Sequence, residues 1–257
     1  MRSSLAGLAA AAALVLVSCG GQPSKAPHAD ATKTDAPSLD PGDFVAQIDN
    51  PWLPLRPGNT WVYRSTSEDG VQRNVVTVLA ATRVVDGVTA TGVHDVVMDS
   101  RGRIVEDTHD WFAQDTHGNV WYLGEDTSEY DPPGGKTFSK EGSWEAGVDG
   151  AVAGIAMLAN PRVGDGYRME YLAGHAEDRA TVRDLDASLP AGLHLPISLR
   201  SVLPNLDNVS LLRTEDTTPL EPDLVENKWY AEGVGVVAEK TVAGGDEVVQ
   251  LIRFTRG

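Results

Sequence analysis

The stretch DWFAQDTHGNVWYLGED, Asp110 to Asp126, decides the fold class. Two aromatic pairs, Trp111-Phe112 and Trp121-Tyr122, flank the polar turn Asp115-Thr116-His117-Gly118. Aromatic and β-branched residues on both sides of a short Gly-bearing turn read as a β-hairpin. The same grammar runs along the chain. WVYRSTS, VQRNVVTVLAATRVV, VTATGVHDVVMD and RIVEDTHDWFAQD precede the hairpin; YRMEYLAG, AEDRATVRDL, NVSLLRTED, LVENKWYA, GVVAEKTV and EVVQLIRFT follow it. Gly closes the turns SEDG, VDG, DSRG and DTHG, where a hairpin needs φ > 0. No long stretch repeats its apolar residues with a helical period. The sequence predicts an all-β fold: an antiparallel barrel or a strongly curved sheet, in a single domain over residues 43–257.

Turn geometry turns this reading into a candidate site. With three-residue turns at 100–102 and 116–118, Asp95 faces Asp107, Val93 faces His109, and His109 faces Glu125. Side chains of one parity share a face. Asp95, Asp107, His109 and Glu125 then stand together among apolar neighbours. Opposed carboxylates on a buried face need a cation, a shared proton or a nearby imidazole. Three readings follow. The four residues are ligands of a metal, zinc or manganese, or calcium if His109 stays out. Or they are a buried polar network around a protonated His109. Or the register is off by one residue, which sends part of the set to the other face.

The chain also echoes itself. LRPGNTWVYR and PRVGDGYRMEY place Gly58 and Gly164 each three residues before an aromatic, Trp61 and Tyr167. DWFAQDTHGNV resembles KWYAEGVGV. Two readings fit: related halves at 54–129 and 160–242, or unrelated hairpins built by the same good hairpin chemistry. At the second echo Asn227 replaces His109 and Val225 replaces Asp107. The segment 131–159 shows little periodicity and is expected to be a long loop.

The N-terminus is an address. Arg2 precedes an apolar run, Leu5 to Val17, too short to span a bilayer that needs ~20 apolar residues. Leu16-Val17-Ser18-Cys19 resembles a bacterial lipobox, and Cys19 is the single cysteine. Residues 1–18 are expected to be a lipoprotein signal peptide, with Cys19 lipidated as the first mature residue. Residues 19–42, rich in Ala, Pro, Ser, Asp and Thr, are expected to be a flexible tether. The chain would then sit on the outer side of the cytoplasmic membrane, held by acyl chains.

Composition narrows the partners. Thirty-seven acidic against 21 basic residues give a net charge of −16, and −17 once Arg2 is removed with the signal. Such a charge argues against nucleic acid and against an anionic membrane surface. No G-x-S-x-G, H-E-x-x-H, phosphate loop or dinucleotide fingerprint is present. His94-Asp95 and His109-Asp110 are adjacent in sequence, so in a strand each pair points to opposite faces.

Several stretches together, PLRPGNTWVYR, DWFAQDTHGNVWYLGED, GSWEAGVDGA, NPRVGDGYRMEY and ENKWYAEGVGVV, resemble a group of uncharacterised secreted bacterial β-rich proteins and lipoproteins. The resemblance implies an extracytoplasmic β domain and brings no activity or cofactor. The expected function is a non-enzymatic, lipid-anchored module that binds a small hydrophobic ligand or an envelope protein. The alternative is a metal-dependent binding or hydrolytic site at Asp95, Asp107, His109 and Glu125. A hydrolase built on two carboxylates facing across a cleft is a third reading.

Overall fold

The computed structural model describes residues 39–257 apart from 204, 207 and 208. The signal peptide, Cys19 and nearly all of the tether lie outside the described residues. A 3-10 turn, Pro41–Asp43, leads into sixteen strands. They are β1 (Phe44–Val45), β2 (Thr60–Ser67), β3 (Gly70–Val85), β4 (Val88–Asp99), β5 (Ile104–Asp115), β6 (Val120–Tyr130), β7 (Thr137–Ser139) and β8 (Trp144–Glu145). There follow β9 (Val152–Met157), β10 (Gly166–Arg168), β11 (Glu170–Tyr171), β12 (Arg179–Ala187), β13 (Leu211–Thr218), β14 (Glu221–Ala231), β15 (Gly235–Ala243) and β16 (Val248–Thr255). Strands formed where β-branched and aromatic residues alternate with polar ones, as the sequence predicts.

The strands pair antiparallel in the order β10-β12-β13-β14-β15-β16-β2-β3-β4-β5-β6-β9-β11, a nearly closed barrel of 13 strands. The ends of that path meet in one short stretch of chain. Residues 166–171 pair with β12 through β10 and with β9 through β11. Met169, between them, donates its backbone N–H to the Asp178 carbonyl at 2.8 Å. The backbones touch here: a Cβ on Gly154 would lie 2.4 Å from the Arg168 carbonyl oxygen. Only a glycine lets β9 pass this close.

Inward positions carry large apolar groups, among them Trp61, Val76, Val93, Phe112, Tyr122 and Leu251, all buried. The Trp61 indole N–H donates to the Val234 carbonyl at 2.7 Å, and the Tyr63 hydroxyl donates to that of Val236 at 3.0 Å. These bonds reach from β2 past β16 to the neighbourhood of β15.

The segment 131–159 is not the long loop expected. It folds back along β6 as β7, β8 and β9. Trp144 supplies the reason: its ring is buried and meets Tyr122 edge-on, with centroids 5.2 Å apart.

The echoed segments make matching bonds. Asn59 N–H reaches Arg56 O at 3.0 Å, and Asp165 N–H reaches Arg162 O at 3.0 Å. Gly58 and Asn59 exchange two backbone bonds with Val78, as Gly164 and Asp165 do with Val182. A β-bulge falls after Trp111 in the β5–β6 pair and after Trp229 in the β14–β15 pair.

Candidate functional sites: an acidic lumen, a histidine pair and a terminal cavity

Two bulges rearrange the expected cluster. The turn after β4 is as predicted, with Asp99 and Arg103 bonded across it. Then Val97 stands opposite Glu106 and Met98 opposite Ile104, which leaves Val105 as an extra residue in β5. Asp95 therefore faces Thr108, not Asp107, and His94 faces His109. The second bulge leaves Leu123 extra in β6, so Asp110 faces Glu125 and His109 faces Asp126. Each extra residue shifts the pairing by one, and a shift of one exchanges the faces. Asp95 and Glu125 point into the barrel. Asp107 and His109 point outward. The four candidate ligands do not share a face.

Inside, Asp95 joins other carboxylates. Asp110, Glu125 and Glu170 are all buried, with Asp110 and Glu125 directly opposite each other. The Tyr122 hydroxyl donates to Asp110 Oδ1 at 2.8 Å, Thr127 Oγ1 to Glu125 Oε2 at 3.2 Å, and Asn74 Nδ2 to Asp95 Oδ2 at 3.3 Å. Among the described residues, nothing hydrogen-bonds to Asp110 Oδ2 or Glu125 Oε1. Burial, then the charge of Asp95, pushes the Asp110 carboxyl up to about 8. Burial, then Glu170 and Asp110, holds Glu125 well above the usual carboxylate range. Burial also lifts Asp178 and Glu247 to about 7, although Lys228 draws Asp178 down and the Ser65 hydroxyl draws Glu247 down. At neutral pH much of this lumen is held by protonated carboxyls.

The matching place in β14 and β15 is filled differently. Lys228 stands opposite Glu239, just before the bulge, as Asp110 stands opposite Glu125. Lys228 Nζ lies 3.0 Å from Asp216 Oδ2 and 3.8 Å from Glu239 Oε2. Burial alone would lower the lysine pKa; the charges of Asp216 and Glu239 outweigh it and hold the pKa above its ordinary value.

Outside, the displaced ligands find a new companion. His94 Nε2 lies 3.1 Å from Asp107 Oδ1, and His109 Nδ1 lies 3.7 Å from the same oxygen. The two imidazoles stack with centroids 4.3 Å apart and planes 17° apart. His94 escaped the sequence reading because its partner across the sheet was taken to be one residue away.

The third place is a cavity of about 730 Å³ beside the β12–β13 connection. Leu189, Leu193, Leu195, Leu206, Val209 and Leu211 line it, with Asp186, His194 and Arg200 among the polar groups. The Ser210 hydroxyl at its edge donates directly to Asp186. The sequence reading did not single out this segment, since its leucines carry no strand or helix period.

No family model matches this chain, and no curated protein matches it. Two solved structures are similar in backbone course. One, from Bacteroides fragilis, is named as an exported protein with a YmcC-like fold; it is 16% identical, with a TM-score of 0.40, over 80% of this chain and 99% of that one. The other, from Parabacteroides distasonis, is named as a lipoprotein; it is 11% identical, with a TM-score of 0.35, over 79% of this chain and 98% of that one.

Proposed function

We propose that the chain is a non-enzymatic binding module, lipid-anchored through Cys19 on the outer side of the cytoplasmic membrane, that takes a small hydrophobic or amphiphilic ligand at one end of its barrel. The cavity beside the β12–β13 connection carries this reading. Its volume falls within the ~300–1,000 Å³ of small-molecule sites, and leucines share its lining with Asp186, Ser188, His194, Arg200 and Ser210, a mixed surface that suits an amphiphilic ligand. The apolar run before Leu16-Val17-Ser18-Cys19 supports the anchor and the address. A module held at a bilayer is placed where acyl-chain ligands are abundant.

Titration with a fluorescent fatty-acid analogue tests the reading. Saturable binding at one site is expected, displaced by unlabelled fatty acid and lost in Leu195→Asp and Leu206→Asp. Both leucines are only partly buried, so both variants are expected to fold. Absence of binding, or equal binding in both variants, would leave an envelope protein as the partner to look for.

A further inference from the structure

The outward face of β4 and β5 holds a second site, unconnected with the cavity. We infer that His94, Asp107 and His109 bind a divalent transition-metal ion of the zinc type. One atom from each residue can be chosen so that all three lie within 4.8 Å of one another. Zinc holds ligands at about 2.0–2.1 Å, which sets tetrahedral ligand–ligand distances of about 3.3 Å. The two carboxylate–imidazole distances, 3.1 and 3.7 Å, bracket that value. The rings would turn out of their stack to bring a nitrogen of each onto one ion.

The backbone provides the positions. His94 and His109 are directly opposite on paired strands, and Asp107 is two residues from His109 on the same face. The extra residue Val105 creates this register, so the bulge builds the site. A single carboxylate oxygen faces a nitrogen from each ring. Where such a nitrogen is unprotonated, its lone pair opposes that oxygen, and a cation resolves the conflict by accepting from all three. Two imidazoles and one carboxylate suit zinc, copper or nickel better than calcium. Three protein ligands leave a fourth position for water or for Asp126, which faces His109 from β6 and also binds Lys140. His94 and Asp107 are partly exposed and His109 is exposed, so an ion reaches them without opening the barrel.

The plain alternative is a hydrogen-bonded His-Asp pair with a stacked neighbour and no ion. The test uses the whole chain, purified without a histidine tag and stripped with chelator. Zinc is titrated calorimetrically into the unaltered protein and into His94→Gln, His109→Gln and His117→Gln. One site per chain is expected, weakened at least tenfold by either of the first two changes and unaffected by the third. In the unaltered protein, substoichiometric copper should broaden the ring resonances of two histidines, those of His94 and His109, before the others. No zinc uptake, or equal uptake in all variants, overturns the proposal. Broadening that falls first on other histidines overturns it without reliance on any variant. The cavity reading stands or falls on separate measurements.

Discussion

Asp110 and Glu125 stand opposite each other on β5 and β6 with both side chains inside the barrel and no basic side chain among the described residues paired with them, whereas Lys228 and Glu239 fill the matching places on β14 and β15. One geometry is thus occupied in two electrostatic ways. The first way depends on protons and the second on a lysine.

Stability should fall as pH rises. A carboxyl whose pKa is raised by folding keeps its proton in the folded chain while the unfolded chain has lost it. Asp178 and Glu247 near 7 and Asp110 near 8 all behave so. The folded state binds more protons across the window from about pH 4 to pH 7–8, so stability declines through that window and levels off above it. Each unit of elevation is worth at most about 1.4 kcal/mol, so the three groups together set an upper bound on the order of 10 kcal/mol for the loss. Urea unfolding at pH 5 and pH 8 measures it; a midpoint that stays flat or rises with pH would contradict the protonated lumen.

Removing the ionisable group should stabilise the barrel at high pH. Asp110→Asn keeps an oxygen to accept from the Tyr122 hydroxyl and has no charge to suppress. A gain of about 2 kcal/mol is expected at pH 8, shrinking toward zero near pH 4. Glu125→Gln should act in the same direction. A loss of stability at pH 8 in both variants would mean that a bound cation, not a proton, normally answers these carboxylates.

Lys228→Met should do the reverse. It leaves Asp216 and Glu239 buried without their cation, at a cost of about 3–5 kcal/mol at neutral pH. Acid should recover part of the loss, because burial already holds Glu239 well above the usual carboxylate range and its protonated form does not need the lysine. Denaturation curves at two pH values decide this, and a loss of equal size at pH 7.5 and pH 5 would count against it.

The bulge in β6 can be tested at Gly124, which has φ +141°. A Cβ there would lie 2.5 Å from the Trp144 carbonyl oxygen. Gly124→Ala should cost about 2–4 kcal/mol and loosen β8 from β6. Gly70, with φ +122° and open space around it, is the comparison site, and Gly70→Ala should cost less. Similar losses at the two positions would show that crowding against β8 does not set the cost.

The hairpins were legible because their turns announce themselves. Asp99 bonded to Arg103, and Ala113 opposite Trp121, are as the spacing of Gly102 and Gly118 implies. The faces beyond the bulges were not legible. Val105 has no glycine or proline between Ile104 and Asp115 to mark it, and nothing there signals an extra residue. Leu123 was signalled, since an isolated Gly124 inside a strand pattern marks a bulge. Glu125, expected opposite His109, stands instead opposite Asp110, the next residue along β5, so the pair of opposed buried carboxylates lies between β5 and β6 and not at Asp95 and Asp107. The cavity depends on how leucines from an aperiodic connection gather against β13, which local sequence does not encode.

The stretch from Gly166 to Tyr171 works as the clasp of a hoop. It contains both end strands of the path, β10 and β11, which pair with β12 and β9 and are among the shortest strands in the barrel. A clasp is where a hoop parts first. Parting it would let water reach the lumen carboxyls, which would then ionise and push one another apart. Alkaline conditions would therefore unfasten this barrel from its seam, and the amides of 166–171 should be the earliest of the barrel strands to exchange their hydrogens.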